Sequence, residues 1–111
     1  MGLILFQQTH KAMNQRKLIV LVTLQQALLG EVSDRLRAVT VSYDEKSIHF
    51  DCYYDGEVMD EDCEAMSYVE TELIAAFPDT HEITHKVHRK DFPESIPKDN
   101  AWAFYRKEQC D

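Results

Sequence analysis

The sequence predicts a single α+β domain in which two helices pack on one face of a four-stranded, mainly antiparallel sheet. Apolar residues recur at helical spacing in two segments and alternate with polar residues in others. The predicted order is helix, strand, strand, helix, strand, strand, for which helices on one face of the sheet are the simplest packing. The 111 residues, 44% apolar and 29% charged, are typical of one globular domain that can bury a core.

The first predicted helix begins near Leu18 and ends at Gly30, a residue type that commonly terminates helices. Its other side is also apolar, so we expect the helix to be covered by the sheet and, in a homodimer, by a second copy of the chain. The apolar run is shorter than the ~20 residues needed to span a bilayer and lacks a cleavage pattern, which favours a buried helix over an export signal. The predicted inner stripe consists of Leu18, Leu21, Val22, Gln25, Leu28 and Leu29.

The chain is predicted to divide into an N-terminal extension, residues 1–13, and a single domain, residues 14–111. Polar residues separate the first apolar cluster from the first helix, and Met13 offers an alternative start. We therefore expect residues 1–13 to be poorly ordered.

The next two segments predict a β-hairpin. "LRAVTVSY" and "SIHFDCYY" both alternate apolar with polar residues, and the polar stretch "DEK" separates them. We expect His49, Asp51 and Tyr53 on the solvent-facing side of the second strand. The apolar side is predicted to carry Val39, Val41, Tyr43, Ile48, Phe50, Cys52 and Tyr54.

A second helix is predicted over residues 60–77, because Pro78 ends the helical pattern. Strands over "EITHKV" and "AWAFYRKE" follow, joined by a proline-containing loop. The predicted inner stripe of the second helix consists of Cys63, Met66, Val69, Leu73, Ala76 and Phe77.

The formal net charge of −8 restricts the classes of partner. Nucleic acids and anionic membranes are bound through Lys and Arg, so we expect neither as a direct partner, and an electrostatically attracted partner should be basic. The three cysteines have no CxxC spacing and one must stay unpaired, which indicates reduced thiols in the cytoplasm.

The negative charge is concentrated between Lys46 and Lys86, where no Lys or Arg occurs. The stretch "DGEVMDEDCE" alone carries six acids in ten residues. Acids in the first turn of a helix interact favourably with the helix dipole, by about 0.3–1 kcal/mol each. This does not account for Glu64, Glu70 and Glu72 further along the helix, which have no Lys or Arg four residues later. The predicted outer stripe of the second helix, which we call the acidic stripe, is therefore interpreted either as a solvated face or as a partner-binding face. It consists of Glu57, Glu61, Glu64, Tyr68 and Glu72.

Two tyrosines favour the partner-binding interpretation. Tyr53 lies beside the acidic turn, and Tyr68 lies within the acidic stripe unless it packs on a neighbouring loop. Tyrosine is enriched among the residues that dominate binding energy, and acids around it accelerate encounter with a basic partner. The predicted contact residues are Tyr53, Asp55, Glu57, Asp60, Glu61, Glu64, Tyr68 and Glu72.

The sequence predicts no metal, no cofactor and no enzyme. The acidic turn lacks the spacing of a calcium loop, and His85 and His88 point to opposite faces of one strand. One catalytic alternative stays open, the row His49, Asp51 and Tyr53, although such a row is more commonly a polar sheet surface.

Four phrases carry a family resemblance: "LLGEVSDRLRAVTVSY", "YYDGEVMDEDCEAMSYVETELIAAFP", "DFPESIP" and "AFYRKE". In this order they resemble the small acidic immunity proteins of bacterial contact-dependent growth inhibition and polymorphic toxin systems, over residues 14–108. The resemblance implies a cytoplasmic antitoxin that binds and blocks a cognate toxin domain, often a nuclease with a basic cleft. It assigns no contact residues, because immunity families vary most at their contact surfaces. The second hypothesis is an adaptor or self-associating module that uses the apolar first helix.

Overall fold

The computed structural model describes residues 2–108, with side chains from residue 15 onward. Its elements follow the predicted order, and the sheet order is β3-β2-β1-β4, so the predicted fold class is confirmed. The side chains of the predicted extension, residues 1–13, lie outside the described residues, and its separation from the domain stays a prediction. The first helix begins at Gly2 and not near Leu18 as predicted. The elements are α1 (Gly2–Leu28), β1 (Leu36–Tyr43), β2 (Ser47–Tyr54), α2 (Asp60–Ala76), β3 (Glu82–Arg89) and β4 (Ala101–Tyr105).

The predicted hairpin of β1 and β2 is confirmed, with Val41 opposite Phe50 and Val39 opposite Cys52. Asp44 stabilises the turn of the hairpin, because its Oδ1 accepts 2.9 Å hydrogen bonds from the backbone N–H groups of Lys46 and Ser47. Such a local bond from an Asp side chain is a common way to stabilise a tight reversal. The hairpin forms the centre of the sheet.

Strands β2, β3 and β4 all run in the same direction, opposite to β1. β2 and β3 pair in parallel, while β1 pairs antiparallel with both β2 and β4. A parallel pair needs a crossover, which α2 supplies on the core face. The chain must then return along the sheet from the end of β3 to the start of β4, and residues 90–100 make this return on the opposite face. One end of the sheet therefore collects the ends of β2, β3 and β4 and the start of α2; we call it the connection end.

The main core lies between the two helices and the inner face of the sheet. Phe50 and Tyr54 are the largest side chains that are fully buried there. The inward face predicted for the hairpin is confirmed, except that Tyr43 is only partly buried. The fully or nearly fully buried core residues are Val20, Leu24, Leu28, Leu36, Val39, Val41, Ile48, Phe50, Cys52, Tyr54, Met66, Val69 and Leu73.

The predicted inner stripe of α1 is wrong in most of its members. Leu18 and Leu29 are 62% and 76% exposed, whereas Val20 and Leu24 are fully buried. Leu28 is the one member of the predicted stripe that is buried. A helix that is apolar on every side does not reveal by periodicity which side meets the sheet. Tertiary packing made that choice, and it leaves an apolar stripe of α1 exposed.

The predicted inner stripe of α2 is confirmed for Met66, Val69, Leu73 and Phe77. Cys63 and Ala76 were predicted to be core residues, and this is wrong because both are exposed. The inward position of the first turn belongs to Asp62, four residues before Met66 and on the same helical stripe. Among the described residues, no helix is long and apolar enough to cross a membrane.

Candidate functional site

The outer face of α2, together with Glu57 just before the helix, carries a row of exposed carboxylates, which we call the acidic face. Tyr68 lies within it and is 51% exposed, so its predicted exposure is confirmed. A hydrogen bond to Glu72 raises the pKa of the Tyr68 hydroxyl. Within the described residues, none of these carboxylates forms an ion pair. The acidic face consists of Glu57, Asp60, Glu61, Glu64 and Glu72, all exposed.

Asp62 differs from its neighbours on α2 because it is buried and fully engaged. Its carboxylate pairs with Arg35 at 2.6 Å and accepts a 2.8 Å hydrogen bond from the backbone N–H of Met59, the residue before the helix. This second bond satisfies a backbone donor that the helix start would otherwise leave free. Asp62 therefore fixes the start of α2 against the turn before β1.

We expect Asp62→Ala to lower the free energy of unfolding by about 1–3 kcal/mol, because the backbone donor and the guanidinium both lose their acceptor. Urea unfolding of the variant against the unchanged protein measures this loss. Glu61→Ala removes an exposed acid from the same turn and serves as the control, with an expected change within ~0.5 kcal/mol. Equal losses in the two variants would contradict the structural role of Asp62.

Asp55 was predicted to be a contact residue, and its charge is balanced within the fold. Its Oδ2 lies 3.1 Å from Nη2 of Arg106, and its Oδ1 accepts a 3.3 Å hydrogen bond from the backbone N–H of Phe92. These contacts tie the end of β2 to Arg106, which follows β4, and to the return segment. Asp55 thus contributes less unbalanced charge than the residues of the acidic face.

Tyr53 was predicted to be an exposed aromatic anchor, and its exposure is corrected by the structure. The side chain is only 6% exposed, stacks on His88 at a ring distance of 4.8 Å and packs with Ala38 and Ile96. Burial, followed by the nearby Asp51 carboxylate, raises the pKa of the Tyr53 hydroxyl. The reason is topological: the return segment, residues 90–100, crosses this face of the sheet and places Ile96 over it.

The candidate catalytic row on this face is a hydrogen-bonded network across two strands. Nε2 of His88 and Nε2 of His49 lie 2.7 and 3.2 Å from the same oxygen of Asp51, and Nδ1 of His49 lies 2.8 Å from Oγ1 of Thr84. His88 was missing from the predicted row, because only the parallel pairing of β2 with β3 brings it there. Within the described residues, no group of three or more His, Cys, Asp or Glu is placed to hold a metal ion.

A cavity of about 490 Å³ opens between the return segment, β4 and the last described residues. Arg37 and Glu108 form its buried base through two hydrogen bonds of 2.7 and 2.9 Å, with side chains only 3% and 7% exposed. Hydrogen bonds from Arg37 and Arg106 hold the pKa of Glu108 at about 2. The sequence analysis missed this cavity, because its lining comes from β1, the return segment and the C-terminal residues, which are far apart in the chain.

The fold and the charge distribution define a small acidic α+β protein whose unbalanced carboxylates lie on one helix face. The MafI2 immunity protein family model matches residues 17–108, which is most of the chain. The chain therefore belongs to the MafI2 immunity protein family, the immunity proteins of Maf polymorphic toxin systems. No curated protein matches the chain.

Membership confirms the predicted class of protein, an immunity protein, and gives it a partner class, a MafB toxin that it neutralises. The matched range begins close to the predicted domain start and includes every predicted contact residue. The exposed acids and Tyr68 stay predicted contact residues.

Proposed function

We propose that this immunity protein neutralises its cognate toxin by binding it with the acidic face of α2, and that the toxin surface it covers is basic. The observation that carries the proposal is the row of exposed carboxylates without ion-pair partners among the described residues. Like charges along one helix face repel one another and reduce stability, so a compensating cationic partner supplies a reason for their grouping.

The toxin that best fits such a surface is a nuclease. Enzymes that act on nucleic acids bind phosphate through clefts rich in Lys and Arg. An acidic helix that enters this cleft would occupy the surface meant for the substrate and would attract the toxin from a distance. Inhibition would then require binding alone, without turnover by the immunity protein, and would take place in the cytoplasm.

Tyr68 is the aromatic anchor of this proposed interface. It is exposed, and it lies between acids on the same helix face. A tyrosine ring supplies a large contact area with few rotatable bonds. Its removal should shorten the lifetime of the complex, whereas loss of the surrounding acids should slow its formation.

The test replaces three carboxylates of the acidic face in the variant Glu61→Gln/Glu64→Gln/Glu72→Gln. We expect its association rate with the cognate MafB toxin domain to fall by about 10- to 100-fold at low ionic strength, because the steering charge is lost. Stopped-flow or surface-plasmon measurements over a range of salt concentrations report this rate. The difference between the variant and the unchanged protein should shrink as salt increases.

A matched control removes three exposed acids elsewhere, in the variant Glu45→Gln/Asp79→Asn/Glu82→Gln. It changes the net charge equally, so it separates the position of the charges from their sum. Similar association rates for the two variants would refute the acidic face as the contact surface. Binding that is unchanged in both would also refute electrostatic recognition.

A second candidate function is self-association through α1, favoured by its exposed apolar stripe. Leu18, Ile19, Val22 and Leu29 are all more than two-fifths exposed. Contiguous exposed apolar surface commonly marks an interaction site. The molar mass in solution, measured by light scattering over a range of concentrations, distinguishes a homodimer from a monomer that keeps this stripe for another partner.

A further inference from the structure

We propose that the cavity beside β4 is a second contact site for the same toxin and that it accepts an anionic segment carrying an aromatic or large apolar side chain. This inference rests on the proposed function, because it concerns the same complex. The two proposed contact sites differ in the charge of the toxin surface that they bind: the acidic face would bind a basic surface, whereas the cavity would bind an acidic segment.

The cavity has the size and lining of a pocket for a side chain. Its volume of about 490 Å³ lies within the usual range for ligand pockets. Trp102 and Tyr105 stack at a ring distance of 4.8 Å along one wall, and Phe92 lies on another. Tyr105 is 56% exposed, so this wall is accessible from outside. Aromatic walls of this kind bind flat or apolar groups and dominate many protein interfaces.

The cavity is lined by more cationic than anionic side chains. Arg37 and Arg106 are balanced by Glu108 and Asp55, and Glu94 lies 4.0 Å from Lys90. Lys98 and Lys107 also line the cavity, and neither forms an ion pair within the described residues. Although the chain has a net charge of −8, these two ammonium groups share the cavity lining with aromatic residues and favour an anionic partner group.

The base of the cavity is rigid, which favours its use as a binding site. Arg37 donates to both oxygens of Glu108 and to the carbonyl oxygen of Lys90, so it joins the C-terminal residues to the return segment. Its guanidinium also lies 5.6 Å from the ring centre of Phe92. A partner therefore meets a preformed wall and loses less conformational entropy on binding.

The cavity and the start of the acidic face lie at the same end of the molecule. Both adjoin the connection end, and the ion pair of Asp55 with Arg106 joins the turn before α2 to the cavity lining. One partner can thus cover both surfaces. Opposite charges on the two faces of this end also fix its orientation, because a rotated partner would place like charges together.

The proposed occupant is a short protein segment and not a nucleic acid. An extended polyanion laid across this end would approach Glu57, Asp60 and Glu61, which are exposed and unpaired among the described residues. A segment with one or two carboxylates and a large apolar side chain meets only the cavity. The toxin itself is the partner that brings such a segment to the connection end.

The test uses the full chain and the cognate MafB toxin domain. We expect Lys98→Glu/Lys107→Glu to weaken the Kd by at least tenfold through charge reversal, and Tyr105→Ala to weaken it by about tenfold through loss of the aromatic wall. Lys98→Arg/Lys107→Arg should retain the affinity. Lys17→Glu/Lys46→Glu reverses two exposed lysines that adjoin the opposite end of the sheet, and should change the Kd by less than threefold. Circular dichroism and urea unfolding check that each variant is folded.

The outcomes separate this inference from the proposed function. Unchanged Kd values for both cavity variants, with slow association of the acidic-face variant, would overturn the second site and leave the first. Weakened cavity variants with a normal acidic-face variant would place the toxin on the cavity alone and refute the proposed function. If Lys98→Glu/Lys107→Glu and Lys17→Glu/Lys46→Glu weakened the Kd equally, the effect would come from the net charge of the chain and not from the cavity. This result would overturn the inference. A concentration-dependent dimer of the free chain that the cavity variants abolish would place a second copy there instead, which also overturns it.

Discussion

Arg37→Met should lower the free energy of unfolding by about 3–5 kcal/mol, the cost expected when one partner of a buried ion pair is removed. Glu108 would keep a carboxylate that is only 7% exposed, with Arg106 as its remaining cationic partner at 2.9 Å. The carbonyl oxygen of Lys90 would also lose its 2.6 Å donor. Methionine fills much of the same space, so the loss reports charge and hydrogen bonding more than volume.

Urea unfolding followed by circular dichroism measures this loss. Arg89→Met is the control, because Arg89 pairs with Asp91 at 3.0 Å on the surface, where both side chains are well exposed. A surface pair contributes only ~0–1 kcal/mol. The double variant Arg37→Met/Glu108→Leu should recover part of the stability, since it removes both buried charges. A loss below ~1 kcal/mol in Arg37→Met would show that the pair is not important for the fold.

Glu108→Gln should make the stability of the protein less sensitive to acid. The pKa of Glu108 is lowered from 4.5 to about 2 by hydrogen bonds from Arg37 and Arg106. A lowered pKa means that the ionised side chain stabilises the folded state above pH ~4.5 and that this contribution is lost as the pH falls towards ~2. The full contribution corresponds to about 3 kcal/mol.

The measurement compares the free energy of unfolding of the unchanged protein and Glu108→Gln at several pH values between neutral and strongly acidic. The difference between the two proteins should be largest near neutral pH and should fall as Glu108 becomes protonated. Asp44 and Asp91 also have lowered pKa values, but they are present in both proteins and cancel in the difference. A difference that is constant across the pH range would contradict a lowered pKa for Glu108.

Three arginines of this protein form ion pairs within the fold. These pairs determine which acids remain unbalanced on the surface. Arg35, Arg37 and Arg106 each balance an acid that is distant in the sequence. Internal pairing thus neutralises Asp62, Glu108 and Asp55, and it leaves the acids of the acidic face unbalanced. Neighbouring acids in the sequence therefore have different roles: Asp55 and Asp62 form ion pairs within the fold, whereas the acids of the acidic face remain exposed. The composition alone does not distinguish the two groups.

The contacts of two partly buried histidines also show that the pairing of distant strands decides which groups a side chain meets. His85 lies 2.9 Å from Glu70 and stacks on Phe50, so it joins α2 to the sheet. His88, three residues on, instead contacts Asp51 on the opposite face. Their opposite orientations follow from strand alternation and were predicted. Their partners depend on the register of β3 beside β2, and the sequence did not predict this register.

The sequence by itself determined the order and type of the elements, the inner face of the hairpin and most of the inner face of α2. These features follow from the alternation of apolar and polar residues over a few positions, which each segment carries within itself. The concentration of acids on the outer face of α2 follows from the same local spacing. The match to an immunity family agrees with the class that the four phrases of the sequence implied by resemblance.

Only the tertiary structure decided which side of α1 is buried, that Tyr53 is covered, and that a cavity lined by Lys98 and Lys107 opens near the connection end. Each depends on contacts between segments far apart in the chain: α1 against the sheet, the return segment over β2, and Arg37 with Glu108. The physical reason is that packing and ion pairing are settled by the whole fold. The parallel direction of β3 required the chain to recross the sheet, and that crossing created both the burial of Tyr53 and the cavity.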